Sequence, residues 1–314
     1  MKNMRKLAAI DLGTNMFTLL IVEEQENYYE TIYRDAPFVQ IGEKGIDKGF
    51  IAPAAFERAF KTLQNFRNIL DEHDCKDVYA VATSAIRSAK NGAEFVEKVR
   101  KELGINIEVI DGDKEAELIA YGVQANYEIP EKSLIMDIGG GSVEFIIADS
   151  KQIFWKQSFE IGSQRLAYEF HEQEFMFEGI AKLEQALDQI LSPLMQAISE
   201  HLPKKMIGTK GSFSIISRIY CYENGIEYYF DDPNLKLLDL PISHFKHVLN
   251  LLIHKTVEER ENLKGMKEHH AKMLSASACL VDYVLKKGNF HEIKVVNGGL
   301  KEGILYQQIR KAKK

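Results

Sequence analysis

One short pattern occurs twice in this chain, and it restricts the fold more than any other feature. Ile10-Asp11-Leu12-Gly13-Thr14-Asn15-Met16-Phe17-Thr18-Leu19-Leu20-Ile21 aligns without a gap on Met136-Asp137-Ile138-Gly139-Gly140-Gly141-Ser142-Val143-Glu144-Phe145-Ile146-Ile147, 126 positions further on. Each copy reads as an apolar strand ending in Asp, a glycine-based turn, and a second apolar strand. The result is a β-hairpin whose tip carries one carboxylate and a set of turned backbone N–H groups. Glycine lets a backbone approach a ligand closely, and turned N–H groups form an anion-binding concavity, so such a tip suits a metal-bound phosphate. Two copies this far apart point to a duplicated α/β fold in which two phosphate-holding turns face each other across a cleft.

Length sets the scale of that duplication: 314 residues correspond to about two domains, each able to bury its own core. A hydrophobic content of 45% and a charged content of 27% are those of an ordinary globular protein. The net charge of −6 argues against a general nucleic-acid binder, so a polyanionic ligand must meet a local basic site. Cys75, Cys221 and Cys279 are far apart with no paired spacing, which implies a reducing compartment and buried, inert thiols. The N-terminus has no signal-peptide pattern, and the best apolar run, Ala276 to Leu285, is broken by Asp282. A cytoplasmic protein that does not enter membranes is therefore expected.

Strands are predicted at Leu7–Leu12, Phe17–Glu23 and Tyr28–Arg34. Pro53 then starts a helix with Phe56, Phe60, Leu63, Phe66 and Leu70 on one face. A strand at Asp77–Thr83 precedes a helix at Phe95–Leu103 capped by Asn91. Ile105–Ile110 and a helix from Asp111-Gly112-Asp113 through Tyr121 close the first lobe. The meander restarts at Ser133–Asp137, Val143–Ala148 and Gln152–Phe159. A long helix at Phe175–His201, a strand at Lys205–Gly208 and a helix from Ser212 follow, then a loop at Asn224–Leu240. Helices are predicted at Ser243–His254, Thr256–Leu263 and Lys267–Lys287, a last strand at Glu292–Val296 and a terminal helix at Leu300–Lys313. The expected domains are 1–123 and 124–299, with the helix at about 300–314 packing back on the first.

Three consecutive glycines after Asp137 cost backbone entropy and pack nothing, which favours phosphate contact over a simple tight turn needing positive φ. Glu144 lies inside Val-Glu-Phe-Ile-Ile; it is either a surface-facing strand residue or a buried carboxylate with a partner or metal. Glu115 and Glu117 lie in a helical first turn, where the macrodipole alone accounts for acidic residues. Arg87 follows a buried strand and can reach a site at its C-terminal edge. Gly208-Thr209-Lys210-Gly211-Ser212 opens a helix and forms a plausible anion site without Walker A spacing. His244 and His247 have no third ligand nearby, and the basic Arg310-Lys311-Ala312-Lys313-Lys314 reads as a solvated helix end.

These segments resemble the Ppx/GppA phosphatases, the exopolyphosphatases and guanosine pentaphosphate phosphohydrolases. The likeness runs in order through Ala9–Asn15, Ala82–Asn91, Gly112–Leu118, Asp137–Glu144, Ile161–Leu166, Gly208–Ser212 and Gly299–Gly303. It implies the two-lobed, duplicated actin-like (ribonuclease H-like) fold with an interlobe cleft, shared by sugar kinases and heat-shock chaperones. Glu115 matches the family's catalytic carboxylate, a general base that activates water against a terminal phosphorus. Asp137 and Glu144 match acids that position Mg²⁺, or another divalent cation, and the lytic water. Asp11 is the other hairpin's acid, and Arg87 matches a phosphate-binding arginine. Gly13, Thr14, Asn15, Gly139, Gly140, Gly141, Ser142, Gly208, Thr209, Lys210, Gly211 and Ser212 are the expected phosphate-binding turns.

The chain departs from the family's pattern at Met16, where Ser is usual, at Thr18 and Glu117, where basic residues are common, and at Lys210, which replaces a Ser. The sequence ends where longer relatives carry C-terminal helical domains, so processive degradation of long polyphosphate is not what the resemblance leads one to expect. The implied activity is Mg²⁺-assisted release of terminal phosphate from inorganic polyphosphate or guanosine pentaphosphate, with no nucleic acid as partner and a homodimer permitted. Two rivals are a guanosine alarmone or polyphosphate sensor without hydrolysis and a kinase of the same superfold; the retained Glu115 weighs against the kinase.

Overall fold

A computed structural model describes residues 5–25, 29–170, 177–227, 236–266 and 270–312. Tyr28, Lys267, His269, Lys313 and Lys314, together with the predicted helix start at Phe175, lie outside the described residues. The chain forms two compact units. One comprises Met1–Gly122, Gly139–Gly141 and Leu300–Lys314, the other Val123–Ile138 and Ser142–Gly299. Each has its own hydrophobic core.

In the first unit β1 (Lys6–Leu12), β2 (Phe17–Glu24) and β3 (Tyr29–Asp35) form the meander. The helix α1 (Pro53–Glu72) leads to β4 (Asp77–Ala82), the single-turn α2 (Ser84–Ser88), α3 (Gly92–Leu103), β5 (Ile107–Val109) and α4 (Gly112–Asn126). The strand order is β3-β2-β1-β4-β5, with β4 parallel to β1 and β5 parallel to β4. Pro53, with its preset φ, starts α1 as predicted. The buried stripe of α1 is Ala55, Ala59, Leu63, Phe66 and Leu70, while Phe56 and Phe60 flank it partly buried. Asn91 does not cap α3 with its side chain. Its amide instead clamps the loop before α1, accepting from Ile51 N at 2.8 Å and donating to Ile51 O at 3.0 Å.

The second unit contains β6 (Ser133–Ile138), β7 (Val143–Ala148), β8 (Ile153–Phe159) and α5 (Ser163–Glu169), which sequence reading did not anticipate. The predicted helix 175–201 is two helices, α6 (Phe177–Ile190) and α7 (Ser192–His201). Pro193, near the start of α7, lacks the N–H that would continue one helix through Leu191. There follow β9 (Lys205–Thr209), α8 (Gly211–Glu223) and β10 (Leu237–Asp239), a strand inside the predicted loop. It forms because its backbone pairs antiparallel with the last strand, which local sequence cannot reveal. The helices α9 (Ile242–His254), α10 (Val257–Glu261) and α11 (Ala271–Lys287) precede β11 (Ile293–Val296), and α12 (Leu300–Ala312) returns to pack against β1 in the first unit. Thr256 and Glu259 form a capping box that starts α10.

The sheet order β10-β11-β9-β6-β7-β8, read backwards from β8, repeats that of the first unit with β10 added at the edge. The duplication extends to single residues. Asp11 is opposite Thr18 and Leu12 opposite Phe17; Asp137 is opposite Glu144 and Ile138 opposite Val143. The duplicated α/β fold implied by the resemblance is therefore present in both sheets. Among the described residues no helix is long and apolar enough to cross a membrane.

Candidate active site

In parallel sheets the strands' C-terminal ends collect the loops that bind ligands. In the first unit Thr83 N bonds Leu12 O at 3.4 Å and Ile110 N bonds Ala82 O at 3.1 Å. The turn at 13–15, the segment holding Arg87 and the start of α4 thus leave from one sheet edge. Glu115, on the first turn of α4, is only 6% exposed. Arg87, carried there by α2, places Nη1 at 3.0 Å from Glu115 Oε2 and at 3.0 Å from the Ile110 carbonyl. A solvated first-turn acid answering the macrodipole would not be buried; a buried carboxylate needs such a partner. Glu117 is bonded to Lys114 at 3.0 Å, so its charge is compensated on its own helix. Burial, then Glu117, raises the Tyr121 phenol above its usual range.

Gly139–Gly141, the second hairpin's tip, belong to the first unit, and the surroundings of Gly140 and Gly141 explain those two glycines. A Cβ on Gly140 would lie 2.6 Å from Asn15 Nδ2 and 3.0 Å from Thr14 Cβ. One on Gly141 would lie 2.5 Å from Ser84 Oγ and 2.7 Å from Thr14 Oγ1. Neither residue has a left-handed φ, so close approach and not turn geometry demands glycine here. In the first hairpin Gly13 N bonds Met16 O at 3.0 Å, and Met16 bridges to Phe38. Ser84, which sequence reading did not single out, is buried and, like Thr14, borders Gly141; its signal in the sequence is its place three residues before Arg87.

In the second unit Asp137 pairs with Thr209 on one side and Glu144 on the other. The whole of β7 is buried, which removes the surface-facing reading of Glu144: it is 2% exposed, and Ser158 Oγ donates to its Oε1 at 2.7 Å. The Thr209 hydroxyl, fully buried, lies between the carbonyls of Val296, at 3.2 Å, and Gly298, with which it is hydrogen-bonded. Lys210 caps α8 at φ 46° and ψ −159°, a backbone region that disfavours side chains, and Gly211 follows at φ 44°. The Lys210 stem lies over Gly299, where a Cβ would meet its Cδ at 3.0 Å. Gly208 leaves room for the Phe213 ring, 2.1 Å from where a Cβ would stand. Ser142 and Ser212 are both buried. The structure thus gathers Asp137, Glu144, the 208–212 turn and Gly298-Gly299 at one edge of this sheet.

Among the described residues no three His, Cys, Asp or Glu side chains cluster to hold a metal. Asp137 and Glu144, opposed across β6 and β7, offer two carboxylates. That donor set fits Mg²⁺, which keeps waters and completes its shell with phosphate oxygens, and does not fit a closed zinc site.

Fold and site together define a duplicated α/β protein with glycine-lined polar turns and paired carboxylates at its strand ends. The model of the Ppx/GppA phosphatase family matches residues 20–312, and the chain belongs to that family. A solved exopolyphosphatase from Cytophaga hutchinsonii is 38% identical, with a TM-score of 0.94 over 98% of both chains. The Aquifex aeolicus member of the Ppx/GppA family shares the fold, with 24% identity and a TM-score of 0.82 over 99% of both chains. A bifunctional 3-dehydroquinate synthase/phosphatase of Fusobacterium nucleatum is 38% identical over 178 residues, which are 54% of this chain and 27% of that protein. The chain therefore matches about a quarter of that curated relative's length.

Proposed function

We propose that the chain is an exopolyphosphatase-type phosphohydrolase that releases terminal phosphate from inorganic polyphosphate, guanosine pentaphosphate or both. The observation that carries this reading is Glu115: a buried carboxylate at a strand-end edge, ion-paired to Arg87. The likeness to the Cytophaga hutchinsonii exopolyphosphatase along nearly the full chain supports it.

Glu115 takes a proton from water as the water oxygen bonds to the terminal phosphorus and the bridging P–O bond breaks. The departing chain carries off the electron pair of that bond. Arg87 and the N–H groups at 14–15 and 139–141, on the first unit, bind non-bridging oxygens, and the 208–212 turn offers a further anion site on the second. Asp137 and Glu144 are the residues that would hold a divalent cation, and Asp11 is the corresponding acid of the first hairpin. Held there, Mg²⁺ would supply neutralisation of charge on the phosphate oxygens.

Glu115→Gln tests the reading. It keeps the side chain's shape and an oxygen that can accept from Arg87 but removes the charge that Arg87 faces, so the protein should still fold, with a lowered thermal midpoint, while phosphate release with Mg²⁺ falls about 10²–10⁴-fold, the usual worth of a general base. Turnover equal to the parent's removes Glu115 from the mechanism. Met16 and Thr18, apolar or uncharged where the family favours polar and basic groups, are what favour the second reading, a non-hydrolytic alarmone or polyphosphate sensor. Calorimetric binding of guanosine pentaphosphate without phosphate release would select it.

A further inference from the structure

We infer that Ser158 is a positioning residue for Glu144; the inference rests on the role proposed for Glu144 above. Glu144 is buried on a strand covered on both faces, so its carboxylate must be oriented by protein groups. Ser158 stands directly opposite it on β8, and its hydroxyl donates to Oε1 at 2.7 Å. A charge-assisted bond of this length fixes the carboxylate's rotamer and the direction in which it presents itself beside Asp137.

The duplicated sheet supplies an internal comparison. Thr18 occupies in β2 the register position that Glu144 holds in β7. Leu19 pairs with Asp35, and Phe17 N bonds Pro37 O, so the residue opposite Thr18 is Ala36. The first sheet lacks the carboxylate and also lacks the hydroxyl that would orient it; the second has both. A serine placed only to complete β8 would not follow the carboxylate in this way. Carboxylate and hydroxyl behave as one functional pair, and groups that orient a metal-binding carboxylate are typically worth about 10–100-fold in metal affinity or activity.

The test uses the full chain as parent, Ser158→Ala, Ser158→Thr, Glu144→Gln and the Glu144→Gln/Ser158→Ala double variant. Readouts are Mn²⁺ binding by calorimetry without substrate, and Mg²⁺-dependent phosphate release. Ser158→Ala should weaken Mn²⁺ binding and lower kcat about 10–100-fold, with the KM for phosphate substrate little changed. Ser158→Thr, which keeps the hydroxyl, should recover most of both. In the Glu144→Gln background Ser158→Ala should cost nothing further, because the group it orients is gone. If Ser158→Ala folds poorly, Ser158→Cys, similar in size and a weak donor, replaces it with the same expectation. Parent-like Mn²⁺ binding and turnover in Ser158→Ala beside an impaired Glu144→Gln overturns this inference alone. An equal loss from Ser158→Ala in both backgrounds also overturns it, as a structural effect. A parent-like Glu144→Gln overturns it together with the role proposed for Glu144.

Discussion

Glycines at this site are chosen by what stands next to them. Gly141 has ordinary φ, yet a Cβ there would fall 2.5 Å from Ser84 Oγ and 2.7 Å from Thr14 Oγ1. Both neighbours are short side chains with little freedom to withdraw. Gly141→Ala is therefore expected to cost about 1–3 kcal/mol in stability, the range for overpacking, seen as a lower urea midpoint, and to reduce phosphate release. An unchanged midpoint would show that the tip can move aside. The cysteines give a second residue-scale prediction. Burial pushes the Cys279 thiol up to about 12 and that of Cys75 up to about 11, with nearby acids adding to both. Thiolate is the reactive form, so at pH 8 both should resist a thiol reagent until denaturant is added. Rapid labelling of the native protein would contradict their burial.

At the scale of elements, helix and strand junctions carry most of the specificity. α12 crosses α4 so closely that a Cβ on Gly303 would sit 1.7 Å from the Leu118 carbonyl oxygen. A backbone oxygen cannot rotate away, so Gly303→Ala must separate the two helices, and a loss of about 1–3 kcal/mol or more is expected in urea unfolding. A neutral result would mean that α12 does not seat there. The strands β9, β10 and β11 are tied by Lys205 to Glu131 and Glu292, both at 3.2 Å, and by Lys294 to Asp239 at 2.6 Å and to Glu292 at 3.3 Å. Burial, the largest influence on Glu292, raises its pKa, but the bonds to Lys205 and Lys294 outweigh it and hold the carboxyl below 4.5. A depressed acid stabilises the fold above its unfolded value and loses that contribution as pH falls. Unfolding free energy should thus drop as pH falls through 4.5 and below, with a shallower drop in Glu292→Gln. Identical pH profiles would remove Glu292 from acid stability.

The same scale shows what the sequence could and could not reveal. The two hairpins were legible because strand period, terminal Asp and turn glycines are all local. Glu115 was legible only through the family resemblance, since its spacing fits a dipole-stabilising acid equally well; its burial against Arg87, 28 positions away, is the physical feature that sets it apart. Ser84, Ser158 and β10 were missed for a related reason: each matters through a partner brought by folding. Asn91 carries the right cap residue at the right place, yet a tertiary contact with Ile51 claims its side chain.

For the whole molecule, duplication supplies the architecture, and the proposed chemistry is placed in its asymmetry. One strand order serves both sheets, and paired positions keep their register across 126 residues. The copies differ where function is expected to differ. The first keeps Asp11 but has Thr18 and Ala36, while the second pairs Asp137 with Glu144 and Ser158. Lys210, in a backbone conformation suited to glycine, adds a cation at the third turn. The most direct test of the account is phosphate release by the parent chain from short polyphosphate, long polyphosphate and guanosine pentaphosphate, with Mg²⁺ and with chelator. The account predicts catalytic, Mg²⁺-dependent turnover of at least one of them, lost with chelator; binding of all three with no phosphate released from any would contradict it.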